Sequence, residues 1–113
     1  MTAEIIGKTW KADFGPFAFH LEFHSETSLS FRAVQPDGTL ADATTVEITR
    51  TELRPDLWLV SWKEPSIQAT VVHVQDFENG AVWTHISRFV EQEFVRLEGR
   101  LTPLTRALDA TTM

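Results

Sequence analysis

The sequence has no cysteine and no tyrosine, and only five prolines and five glycines among its 113 residues. Without cysteine there can be no disulfide, no thiolate metal ligand and no cysteine nucleophile, which suits a chain that stays in the cytoplasm. Without tyrosine no phenol is available to hold or protonate a substrate. No apolar run approaches the roughly 20 residues needed to cross a bilayer. The opening segment, Met1 to Lys8, places Glu4 where a signal peptide would carry basic residues, so cytoplasmic residence is expected. Ten basic residues against sixteen acidic ones give a net charge of −6. Nucleic acid is not an expected partner, because it needs a basic face, and with no spanning run a membrane is not expected either.

What is present is strand pattern. From Phe17 to His24 apolar and polar residues alternate, so Phe17, Phe19, Leu21 and Phe23 share one face and His20, Glu22 and His24 the other. Ser28 to Gln35 repeats the pattern with Leu29, Phe31 and Ala33 inward, and Pro36-Asp37-Gly38 supplies a turn. Thr44 to Leu53 is rich in β-branched residues, Arg54-Pro55-Asp56 turns the chain, and Leu57 to Glu64 follows. Ile67 to Phe77 and Ala81 to Arg88 flank Asn79-Gly80, a dipeptide suited to a two-residue type I′ hairpin. Ile5 to Trp10 and Phe94 to Leu101 complete a set of about eight short strands without a long crossover. The expected fold is all-β: one domain over residues 1–113, closed as an antiparallel up-and-down barrel that leaves few edges, with 102–113 as a tail. At this length a single core buries roughly two thirds of the surface the unfolded chain exposes.

The most informative stretch is Leu59-Val60-Ser61-Trp62-Lys63-Glu64-Pro65-Ser66. Residues two apart in a strand point the same way, so a Trp62 facing the barrel interior brings Glu64 with it. A carboxylate in an apolar container needs a reason. The other reading puts Glu64 at the strand end in water.

Gly7-Lys8-Thr9-Trp10, the Phe-rich second strand, Ser28-Leu29-Ser30-Phe31-Arg32 and Leu57-Trp58-Leu59-Val60-Ser61-Trp62-Lys63-Glu64-Pro65 together resemble the small lipocalin-like (calycin) barrels. The resemblance is to proteins similar to molybdenum cofactor biosynthesis protein F and, more distantly, to phenolic acid decarboxylases. It spans residues 5–101, with Ser-Trp-x-Glu-Pro as its most specific part. It implies an eight-stranded barrel with a ligand cavity, often dimeric. In the decarboxylases a glutamate in this motif works with an arginine and two tyrosines. Glu64 and Trp62 match, but Ala12 and Phe14 occupy the tyrosine positions, and Leu40-Ala41-Asp42-Ala43 stands where the arginine is expected. Arg50 and Arg54 lie at other sites. Without a phenol partner and a cationic carboxylate clamp, the charge stabilisation that such a decarboxylation needs is missing.

The same resemblance places Thr70, Val72 and Val74 inward. A two-residue turn at Asn79-Gly80 pairs Val74 with His85, Asp76 with Trp83 and Val72 with Ser87, which carries His85 and Ser87 inward too. A one-residue bulge would flip the hairpin and put His73 inside instead. The connection around Pro65 to Ile67 sets Glu64 level with Thr70, so Glu64 and His85 stand on the order of 13 Å apart and form no direct dyad. They could touch opposite ends of one ligand. His20 and His24 are separated by a similar distance, too far to share a metal, and no metal or cofactor is expected. Leu57 and Leu59 face outward beside Val71, a candidate homodimer surface.

The residues thus suggest a barrel that binds a small apolar or aromatic molecule, with Phe19, Phe31, Trp62, Glu64, Thr70, Val72, His85 and Ser87 as the candidate ligand-binding set. In the alternative, a lyase or isomerase distinct from phenolic acid decarboxylase, Glu64 is the catalytic proton shuttle. A third possibility is a fully packed barrel that works through its surface.

Overall fold

The alternating segments form the strands of one antiparallel sheet. The computed structural model describes residues 5–104, which fold into β1 (Thr9–Asp13), β2 (Ala18–Ser25), β3 (Ser28–Ala33), β4 (Thr44–Glu47), β5 (Thr49–Arg54), β6 (Leu57–Glu64), β7 (Ala69–Asp76), β8 (Ala81–Arg88) and β9 (Glu93–Pro103). The strand order is β4-β3-β2-β1-β9-β8-β7-β6-β5, so the sheet curls round and brings its two ends together as a nearly closed barrel. A 3-10 turn at Pro65–Ile67 is the one helical element among the described residues. None of their helices is long and apolar enough to cross a membrane.

Nine strands replace the expected eight because the β-branched run from Thr44 to Leu53 divides at Ile48. Its first part pairs with β3 and its second with β6. Ile48 donates its backbone N–H to the Thr27 carbonyl at 2.9 Å and buries its side chain, which turns the chain from one partner strand to the other. The β4–β5 seam is therefore closed by side chains such as Val46 and Ile48 and not by a hydrogen-bonded ladder. The first strand also starts later than the pattern suggests. Gly7, at φ 84°, turns the chain and donates to the Phe23 carbonyl, so pairing begins at Thr9.

Inward residues of β2 and β3 match the alternation: Leu21, Phe23 and Leu29 are nearly inaccessible. Phe17 lies ahead of β2 and is exposed. One end of the barrel is packed solid, with Trp10 edge-on to Phe77 at 4.7 Å and Phe23 against the same ring at 6.2 Å. Arg50 fills the space beside them, its guanidinium 3.9 Å from the centre of the Trp58 ring. Each fully buried apolar side chain here contributes about 1.5–3 kcal/mol relative to exposure.

Two turns determine the rest. Asn79-Gly80 does not form a two-residue hairpin. Asp76 pairs with Ala81, and residues 77–80 make the connection. The Asp76 carboxylate accepts the backbone N–H groups of Glu78 and Asn79 at 3.1 and 3.0 Å and the Asn79 side-chain amide at 2.9 Å, while Phe77 swings into the core. The pairing is thus Val72 with His85 and Val74 with Trp83, two residues away from the expected register. At the other end of β7 a four-residue connection closes through Gln68 in the left-handed conformation, φ 51°, and Glu64 pairs with Ala69 rather than Thr70. That single-residue difference turns over every side chain of β7. Ala69, Val71, His73 and Gln75 face the interior, and Val71 is buried at 3 % exposure instead of joining Leu57 and Leu59 outside.

Candidate functional site

The packed end and the open end of the barrel differ in filling. Between Phe19 and Phe31 of β2 and β3, Trp62 and Glu64 of β6, and the inner faces of β7, β8 and β9 lies a cavity of about 110 Å³. Its position follows from local sequence: alternation aims Phe19 and Phe31 inward, and the Trp62-x-Glu64 spacing puts both side chains on the same wall. Trp62 is 7 % exposed, and its ring lies 6.0 Å from Phe31 and 4.9 Å from the His73 ring. Its indole Nε1–H donates to Glu64 Oε1 at 3.3 Å. Glu64, at the end of β6, is half-buried, and Ile67 of the following turn is partly exposed beside the cavity. These two mark its outer end.

The inner end is formed by His73, Thr84 and Ala12, all buried. His73 pairs with Val60, four residues before Glu64, so the two titratable groups stand on the order of 13 Å apart along the sheet. Gln75 Nε2 donates to His73 Nδ1 at 3.0 Å, which leaves the imidazole proton on Nε2. Burial in apolar surroundings lowers the His73 pKa to about 4, so the ring is neutral at physiological pH. Two buried atoms near it, Thr84 Oγ1 and Gln75 Oε1, have no hydrogen-bond partner among the described residues. Glu64 carries the only formal charge among the described residues that line the cavity.

Phe19, Phe31, Trp62 and Glu64 therefore meet at one cavity, and four other candidates do not reach it. Thr70 is exposed, Val72 lies opposite His85 on the outer face, and Ser87 faces Thr70 there. His85 is exposed and packs its ring 5.4 Å from Phe94 on the outside. The Glu64–Ala69 register accounts for all four. It also brings in His73, which is inside without any one-residue bulge, together with Thr84 and Ile86. Phe14 and Leu97, from the first and last parts of the chain, complete the wall. The cue in the sequence was the length of the Pro65–Gln68 connection, which decides whether Trp62 stands beside Val71 or Val72. Arg50, on Trp58 at the packed end, supplies no cation to this cavity. No group of three or more metal-ligating side chains occurs among the described residues.

An outer groove of about 590 Å³ runs along the β4–β5 seam past Thr49, Ser61, Lys63 and Thr70, and Trp62 borders it as well as the inner cavity.

Among solved structures the chain is similar to a protein from Burkholderia vietnamiensis provisionally named a beta-lactamase, with 23 % identity and a TM-score of 0.77 over 92 % of this chain and 99 % of that one. At that identity the likeness shows the fold. No curated protein sequence matches the chain significantly. The MoaF-like family model matches residues 6–102, nearly the whole of the barrel, and the chain belongs to the MoaF-like family.

Proposed function

We infer that the protein binds a small, mostly apolar molecule in the barrel cavity, with Glu64 at the outer end accepting a hydrogen bond from it. The observation behind this reading is an aromatic-walled cavity with a single carboxylate at its rim, in a barrel whose other end is filled by side chains. Its volume, about 110 Å³, is below the roughly 150 Å³ of an apolar cavity that takes up benzene, so a larger ligand must extend outward past Ile67. A homodimer belongs to the same reading. Its contact surface would lie at the β8–β9 hairpin, where Phe89, Val90 and Phe94 are exposed, and light scattering tests it.

Native mass spectrometry of protein purified gently from its own host tests the binding role. The expected result is a stoichiometric small-molecule adduct that weakens in Glu64→Gln. A fully unliganded spectrum, or an adduct indifferent to Glu64→Gln, opposes it.

The alternative, a lyase or isomerase with Glu64 as proton shuttle, draws on the presence of a second titratable side chain, His73, in the same cavity wall. It predicts turnover that Glu64→Ala abolishes while the fold survives. The beta-lactamase label of the structural neighbour is not transferred. Serine-dependent lactam hydrolysis needs an activated serine, and none of the described cavity-lining residues is a serine.

A further inference from the structure

The inner end of the cavity is more selective than its apolar walls suggest. His73 is held from behind by Gln75 and edge-on by Trp62 and, at 6.2 Å, by Phe14. Its Nδ1 is occupied as an acceptor, so what it can offer a ligand is the Nε2–H donor. Thr84, directly opposite His73 in the β7–β8 register, carries a buried hydroxyl without a partner among the described residues. Buried polar groups rarely stay unpaired. Among the described lining residues none supplies a positive charge, and the one negative charge is Glu64.

We propose that His73 recognises the hydrogen-bond acceptor of an uncharged ligand, a ketone, amide or ether oxygen presented by an apolar body, and that the cavity rejects carboxylates. This rests on the binding role proposed above and adds the ligand class. A neutral acceptor satisfies the imidazole N–H at little desolvation cost. A carboxylate in the same place would be buried without a cation and would share the cavity with Glu64. The charge of the lining, more than its shape, separates this pocket from one built to hold an acid.

Three molecules of nearly equal size and shape test it: acetophenone, its hydrocarbon counterpart cumene, and benzoate. Each is titrated into the full-length protein near neutral pH and followed by tryptophan fluorescence. Acetophenone is expected to bind at least roughly tenfold more tightly than benzoate. The ratio of acetophenone to cumene affinity is expected to fall roughly five- to tenfold in His73→Leu, and to recover in His73→Gln, whose amide can still donate. Benzoate binding as tightly as acetophenone overturns the inference, as does a ratio that His73→Leu leaves unchanged. The benzoate comparison needs only the unaltered protein, so it decides the matter even if His73→Leu does not fold. Binding by none of the three removes the cavity's binding role as well, an outcome distinct from loss of selectivity alone.

Discussion

Gln75 Nε2 lies 3.0 Å from His73 Nδ1, with both side chains buried, so a core glutamine fixes the tautomer of the histidine that ends the cavity. A polar pair in the middle of a small barrel is costly unless each atom is satisfied. Here the pairing is partial, since Gln75 Oε1 has no partner among the described residues.

The titration of His73 should be visible in stability. Burial lowers its pKa from 6.5 to about 4 in the folded protein, so between those values the unfolded chain binds a proton that the folded chain does not. Stability then rises with pH across the window and falls on acidification, by up to about 1.4 kcal/mol per pH unit and on the order of 3 kcal/mol in all. Glu64 is the charged group on the same cavity wall. Urea unfolding across this window should show the slope in the unaltered protein and a flatter profile in His73→Gln. Equal slopes would place the neutral histidine elsewhere.

Asp76 makes the β7–β8 connection what it is. Burial raises its pKa, but hydrogen bonds from Asn79 and Glu78 and the charge of Arg54 outweigh that, and the net shift is downward. Its stabilising contribution is present above the ordinary carboxylate value of 3.8 and is lost as pH falls through the lower folded value, below the His73 window. Asp76→Ala should cost about 1–3 kcal/mol in chemical denaturation. Asp76→Asn, which keeps an acceptor for the two backbone N–H groups, should cost less.

Gly99 on β9 lets the end of β1 cross close above it. A Cβ there would press on the Asp13 carbonyl oxygen and approach Phe14 Cδ1 to 2.8 Å. Gly99→Ala should therefore destabilise by about 1–3 kcal/mol and disturb the Phe14 side of the cavity, measurable as a lowered denaturation midpoint.

Trp62→Ala removes the largest side chain from the cavity wall. A loss of about 3–5 kcal/mol is expected, as for other buried aromatic truncations. Added indole should recover part of it by binding the enlarged space, seen as a concentration-dependent rise in Tm. No indole response would mean that the space collapses.

Much of this was legible in the sequence, and the misplaced site residues have one physical source. Alternation alone placed Leu21, Phe23, Leu29 and Phe31 inward, and the two-residue spacing of Trp62 and Glu64 was enough to put them on one wall. Alternation says which residues share a face but not which face is inside when both are apolar. In β7 the face that turns inward, Val71-His73-Gln75, is more polar than the outward Thr70-Val72-Val74, so hydrophobicity favoured the wrong face and the β6–β7 turn decided. Gln68 in a left-handed conformation shortens that register by one residue and exchanges His73 for His85. The Asn79-Gly80 error was a shift of two and left every face unchanged. The division at Ile48 was hidden because a strand that changes partners keeps the same local pattern.

The four tryptophans offer the most direct test of the cavity, because their indole N–H groups are separate reporters in a nitrogen-15 NMR spectrum. Trp62 lines the cavity and bonds Glu64, whereas Trp10 and Trp58 pack at the closed end and Trp83 lies on the outer face. Titration with acetophenone should shift the Trp62 signal saturably and leave the other three nearly still. Uniform small shifts of all four, or no shift at Trp62, would contradict a ligand site beside Glu64.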